Sequence, residues 1–121
     1  MKIKVEKLNV EDTTKFAKKQ SERYPDVIYI EFYEGSISID IKSVGRTAIT
    51  ILEIAKEILE NLDKVEYTRN DPEEWFRQEV EVIKNAIAKR ESKLHDYSRH
   101  EVDIYYLLDG YASGYFIAFH P

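Results

Sequence analysis

Apolar and polar positions along the chain fall into two rhythms, period two and period 3.6, and these separate strands from helices. Residues 2–8 alternate, with Ile3 and Val5 on one side and Lys2, Lys4 and Glu6 on the other, as in a strand with one wet face. Asn9 is in position to cap a helix running to about Tyr24, where Pro25 stops it. Its apolar stripe is thin (Phe16, Ala17 and Tyr24 around polar Gln20), which predicts a surface helix. From Asp26 to Tyr33 both faces are apolar, with Ile28, Ile30 and Phe32 opposite Val27, Tyr29 and Tyr33, as in a central strand. Glu34-Gly35 forms a two-residue hairpin turn. The return strand over 36–42 alternates Ile37, Ile39 and Ile41 with Ser36, Ser38, Asp40 and Lys42.

Helical spacing then takes over from about Arg46 to Leu62, through Ala48, Ile51, Leu52, Ala55, Ile58, Leu59 and Leu62. Ile49 and Ile54 broaden that stripe, so this helix should be the most buried. Residues 64–68 add a short edge strand through Val65 and Tyr67. A helix start follows at Asp71-Pro72-Glu73-Glu74, with Asp71 as cap, Pro72 in the first turn and Glu74 completing a capping box. This helix extends to about Leu94 on Phe76, Val80, Ile83 and Ile87. Its acidic first turn and its later Lys84, Lys89, Arg90 and Lys93 match the helix dipole. A second hairpin ends the chain: Val102 to Leu108, the turn Asp109-Gly110, and Tyr111 to Phe119. In a two-residue register Tyr106 faces Ser113 and Ile104 faces Tyr115.

The order is β-α-β-β-α-(β)-α-β-β. It predicts an α+β fold: one domain over residues 1–121, with a mostly antiparallel sheet of five strands (six with 64–68) and three helices on one face. The chain's 121 residues suffice for one such core, and no repeat or Pro/Gly-rich linker divides it. With 43% apolar residues and no apolar run near the ~20 a membrane helix needs, the chain reads as a soluble, cytoplasmic domain without a membrane partner. The opening MKIKVEKLNVED lacks the apolar stretch of a signal peptide. The absence of cysteine removes disulfides, thiolate chemistry and cysteine-based zinc sites. Glu, Lys, Ile and Tyr are abundant beside two Gln and four Asn, a bias shared by thermophilic proteins and AT-rich genomes.

Three segments carry candidate chemistry. Gly45, Arg46 and Thr47, where a strand passes into a helix, offer backbone N–H groups, a guanidinium and a hydroxyl to a phosphate. The spacing is not that of a P-loop, and an ordinary strand–helix loop accounts for it equally. His95, His100, Glu101 and Asp103 lie in the densest run of titratable groups. They could serve a metal-dependent hydrolase or nuclease as ligands or acid/base groups. The bland alternative is a polar loop leaving the long helix. No metal ligand set is assigned, and no cofactor.

The third segment is the aromatic terminal hairpin, with Tyr106, Tyr111, Tyr115, Ile117 and Phe119 on one face. If helices cover only one side of the sheet, the apolar area left over calls for a partner, and Tyr suits interfaces. The sequence therefore favours a non-catalytic binding or oligomerisation module, a homodimer or a protein-partner complex, over the hydrolase. Nucleic acid binding is disfavoured. The net charge is −5, and a stripe of Lys2, Lys4, Lys15, Lys18, Lys19, Lys89, Arg90 and Lys93 needs the first and third helices side by side.

Overall fold

The structure, a computed structural model, describes residues 1–67, 71–94 and 101–120. The elements are β1 (Lys2–Asn9), α1 (Thr13–Ser21), β2 (Asp26–Tyr33), β3 (Ser36–Lys42), α2 (Ala48–Leu62), α3 (Pro72–Ala88), β4 (Glu101–Leu108) and β5 (Ser113–Phe119). They build one five-stranded sheet in the order β1-β4-β5-β2-β3, parallel between β1 and β4 and antiparallel elsewhere. The α+β class and the order of helices and strands are as the pattern predicts. The sixth strand is not formed: residues 65–67 are irregular, and Thr68 lies outside the described residues.

The main correction concerns the faces. One side of the sheet carries Ile28, Ile30, Val102, Ile104, Tyr115, Ile117 and Phe119, packed under Ile51, Ile54 and Ile58 of α2 and Val80, Ile83 and Ile87 of α3. The other side carries Val27, Tyr29, Leu107, Phe116 and Ala118, covered by Phe16 and Ala17 of α1. The three helices therefore do not share a face. Strands β2 and β5 are apolar on both sides, and α1, thin stripe and all, supplies the second cover. Phe16 meets the rings of Tyr105 and Phe116 edge-on, each with centroids 6.4 Å apart.

Local chemistry moves several boundaries. α1 starts later than Asn9, because β1 continues through that residue and Asp12 is the cap, accepting from the Lys15 N–H at 3.0 Å. Lys42 ends the same helix early by donating its ammonium to the carbonyls of Ser21 and Tyr24. α2 begins at Ala48 without a side-chain cap. At α3, Asp71 caps the Glu74 N–H as expected, whereas the Glu74 carboxylate turns to Arg77 and Gln78 instead of closing a capping box. That helix stops at Ala88, and a 3₁₀ turn over Glu91–Lys93 follows. Arg90 bridges back to Glu57 at 2.9 Å and Glu53 at 3.4 Å, tying this end to α2. The Arg90 hydrogen bond holds the Glu57 carboxyl below its usual range.

The terminal hairpin is two residues longer at its loop than the Asp-Gly signal suggests. Leu108 pairs with Ser113, Tyr106 with Tyr115 and Ile104 with Ile117. Asp109 causes the wider loop: its carboxylate accepts the N–H groups of Tyr111 at 2.8 Å and Ala112 at 2.7 Å. It also accepts the Thr13 N–H at 2.8 Å, so the turn anchors the positive end of α1. These backbone donors, led by that of Ala112, pull the Asp109 carboxyl from its ordinary 3.8 down to about 2.

Two outcomes follow. Strands β5 and β2 approach so closely at Gly114 that an added Cβ would sit 2.4 Å from the Ile30 carbonyl oxygen and 3.1 Å from Tyr29 Cε1. Gly114→Ala should cost about 1–3 kcal/mol in chemical denaturation, and an unchanged midpoint would refute the crowding. Asp109 has a depressed folded-state pKa. Its contribution is therefore present above the ordinary carboxylate range and lost as pH falls from about 4 to about 2. Asp109→Asn should lower the unfolding midpoint at pH 7, and the gap to the parent should close on acidification. A gap that stays constant with pH would show that the charge is not responsible.

Candidate functional site

The sheet has two edges, and they differ in chemistry. β1 carries Lys2, Lys4, Glu6 and Lys7 in exposed positions, a charged border of the kind that discourages another strand from pairing. β3, sequence SISIDIK, borders the sheet with far less charge. The turn before it has φ of 47° at Glu34 and 76° at Gly35, so both central residues are left-handed, as type I′ requires. Such a turn is closed by a hydrogen-bonded pair, here Tyr33 and Ser36, and the ladder alternates from there without a bulge. Ser36, Ser38, Asp40 and Lys42 therefore bond to β2, while the N–H and C=O groups of Ile37, Ile39 and Ile41 point outward from the edge.

Apolar side chains are exposed on β3, in the loop after it and on α2. Ile41 is 36% exposed, Leu52 43%, Val44 63% and Ile49 73%. Glu53 and Glu57 of α2 face the end of α3 through their ion pairs with Arg90, so the opposite flank of the helix is the one carrying Ala48, Leu52 and Leu59. Leu52 and the half-buried Leu59 thus lie on the flank of α2 turned away from α3, on a helix that packs over β2 and β3. The sequence reading counted these residues as core and missed the surface. The signal available was the breadth of the α2 stripe, which with Ile49 and Leu52 exceeds what one sheet face can cover.

The sequence candidates fall elsewhere. Tyr115, Ile117 and Phe119 are fully buried beneath α2 and α3, so they form core and offer no docking face in the folded chain. Tyr106 packs its ring at a tilt against Phe76 and Tyr115, and of these five residues only Tyr111, in the hairpin loop, is open to solvent. At the strand–helix loop, Asp26 takes the donors that a phosphate would use: the Ser43 hydroxyl, the Val44 N–H at 3.2 Å and the Thr47 hydroxyl at 3.3 Å. Gly45 has a φ of 88° and Arg46 is exposed. The cationic stripe is not assembled, since α1 and α3 lie on opposite faces and Lys89, Arg90 and Lys93 are paired with Glu53 and Glu57.

His95 and His100 lie outside the described residues. Glu101 pairs with Lys4 at 3.2 Å and Lys2 at 3.9 Å. Asp103 holds His120 through its imidazole Nε2, with the Tyr105 hydroxyl 3.4 Å from the same carboxylate oxygen. Burial and then the Asp103 charge push the Tyr105 phenol up to about 12. A cavity of about 130 Å³ is lined by Lys4, Glu6, Asp103, Ile104 and Tyr105. Among the described residues no three His, Asp or Glu side chains are placed to hold a metal ion. Together with the bond from the His120 N–H to the Glu101 carbonyl at 3.0 Å, the Asp103 contact fastens the end of β5 to β4.

A further polar group lies within the core. Glu79, on the buried stripe of α3, accepts from Tyr115 at 2.6 Å and from Tyr67 at 2.7 Å. Burial raises its carboxyl above the usual range, and the two phenols offset part of that rise. In the sequence the signal was its position, three residues after Phe76 and four before Ile83. No protein-family model matches the chain, and neither a curated protein nor a solved structure matches it. No described helix is long and apolar enough to cross a membrane.

The Glu79 cluster makes a pH-dependent prediction. Its raised pKa means that its contribution is fully present below the ordinary carboxylate range and lost as pH rises through the folded-state value. Glu79→Gln should therefore gain thermal stability on the parent between pH 4 and pH 8, by roughly 3–6 °C for each 1 kcal/mol. Tyr115→Phe, which strips a donor from the buried carboxylate, should lose about 1.5–3 kcal/mol at neutral pH. Parallel melting curves for parent and Glu79→Gln across that range would refute the assignment.

Proposed function

We propose that the protein is a non-catalytic module that works by self-association, and that its assembling surface is the β3 edge with the adjoining flank of α2. The aromatic terminal ribbon, occupied as core, has no part in it. One observation carries this reading: Ile41 on β3, Val44 just after it and Leu52 on the flank of α2 turned away from α3 are exposed, and the outward backbone groups of β3 have no neighbouring strand among the described residues. Exposed apolar surface on a small domain marks an interaction site, and a strand edge that carries only Asp40 and Lys42 as charges is a template for another strand. The charged β1 border indicates that only one edge is meant for pairing. Light scattering should give a mass near twice 14.3 kDa. Ile41→Lys and Leu52→Glu should each return the mass to that of one chain while leaving the far-UV circular dichroism unchanged. A parent protein that stays monomeric at high concentration would overturn the proposal.

A further inference from the structure

Resting on that self-association, we infer that two copies join β3 to β3 antiparallel about a two-fold axis through Ile39, making one ten-stranded sheet from two of five. The register follows from the outward backbone groups and the side chains beside them. Ile37, Ile39 and Ile41 present their N–H and C=O groups at the edge, so the two-fold can pass through a hydrogen-bonded Ile39 pair. Ile37 then meets the partner's Ile41 and Ile39 meets the partner's Ile39, so every cross-strand pair on the α2 side is aliphatic. On the other side Ser38 meets the partner's Asp40 and Ser36 the partner's Lys42, with no like charges opposed.

Neighbouring registers are worse. Moving the axis to Asp40 places two carboxylates directly opposite each other, which is destabilising. Moving it to Ser38 sets Ile41 against the partner's Gly35 and loses an aliphatic pair. A shift of one residue turns the isoleucine row to the opposite face. The helices agree with the Ile39 axis: with the two α2 helices antiparallel, Leu52 on one can stand opposite the partner's Leu59, and the arrangement repeats by symmetry. Pairing β3 to β1 of another copy would join an isoleucine edge to a lysine border and leave an open chain of molecules, whereas the β3–β3 contact closes after two.

Disulfide trapping tests the register, and the chain has no native cysteine to interfere. Ser38 and the partner's Asp40 form a non-hydrogen-bonded pair, with Cα atoms about 4.5 Å apart, within bridging reach. Like residues, Ser38 to Ser38 or Asp40 to Asp40, are diagonal neighbours at roughly 7–8 Å and beyond it. Under oxidation the double variant Ser38→Cys/Asp40→Cys should become a covalent dimer that runs at twice 14.3 kDa until reduced. Ser38→Cys or Asp40→Cys alone should remain uncross-linked. Efficient trapping by either single variant, or a scattering dimer that the double variant fails to trap, would overturn the Ile39 axis while leaving self-association intact. A monomeric parent would overturn both.

Discussion

Burial of β5 and β2 on both faces is the constraint from which the rest of this structure follows. A strand with Tyr115, Ile117 and Phe119 on one side and Phe116 and Ala118 on the other must be covered twice. Two long helices cover the first side. Helix α1, only nine residues long, covers the second with Phe16 and Ala17. So short a helix is marginal alone, and its position is set from outside, by Asp109 at its start and the Lys42 ammonium at its end. Close packing at the centre also explains why position 114 must be glycine, since two backbones meet there.

Much of this was legible in the sequence because strand and helix periods are local. The β2–β3 hairpin is read correctly to the residue, since the Glu34-Gly35 turn fixes its own register. The terminal hairpin is read two residues out of register, because the Asp109 side chain rearranges the turn. The faces are nevertheless assigned correctly, since a slip of two preserves parity. What stayed hidden depends on distant partners. Nothing near residues 13–21 says that the strands beneath them are apolar on both sides, or that the link from β1 to β2 must pass over β4 and β5.

The same limit explains the fate of the site readings. Tyr-rich surplus apolar area was visible, but its location depended on which face α1 would cover. Once α1 takes the second face, the surplus moves from the terminal ribbon to the N-terminal half of α2 and the β3 border. β3 was legible as a strand, whereas its place at the end of the sheet is a fact of topology. Asp26 illustrates the converse. It reads as an ordinary strand residue, yet it occupies the donors of the loop that resembled an anion site.

The parallel pairing of β1 with β4 has a consequence for how the molecule comes together. Lys2 is registered with Glu101, and the terminal ammonium is bonded to Glu91 at 2.8 Å. During synthesis β1 thus emerges before the other described elements yet has no seat until β4 has followed it. Such remote closure is slow. This strand has a single neighbour and a wet outer border, so once docked it is held through β4 alone. Early emergence and late locking meet in the same eight residues.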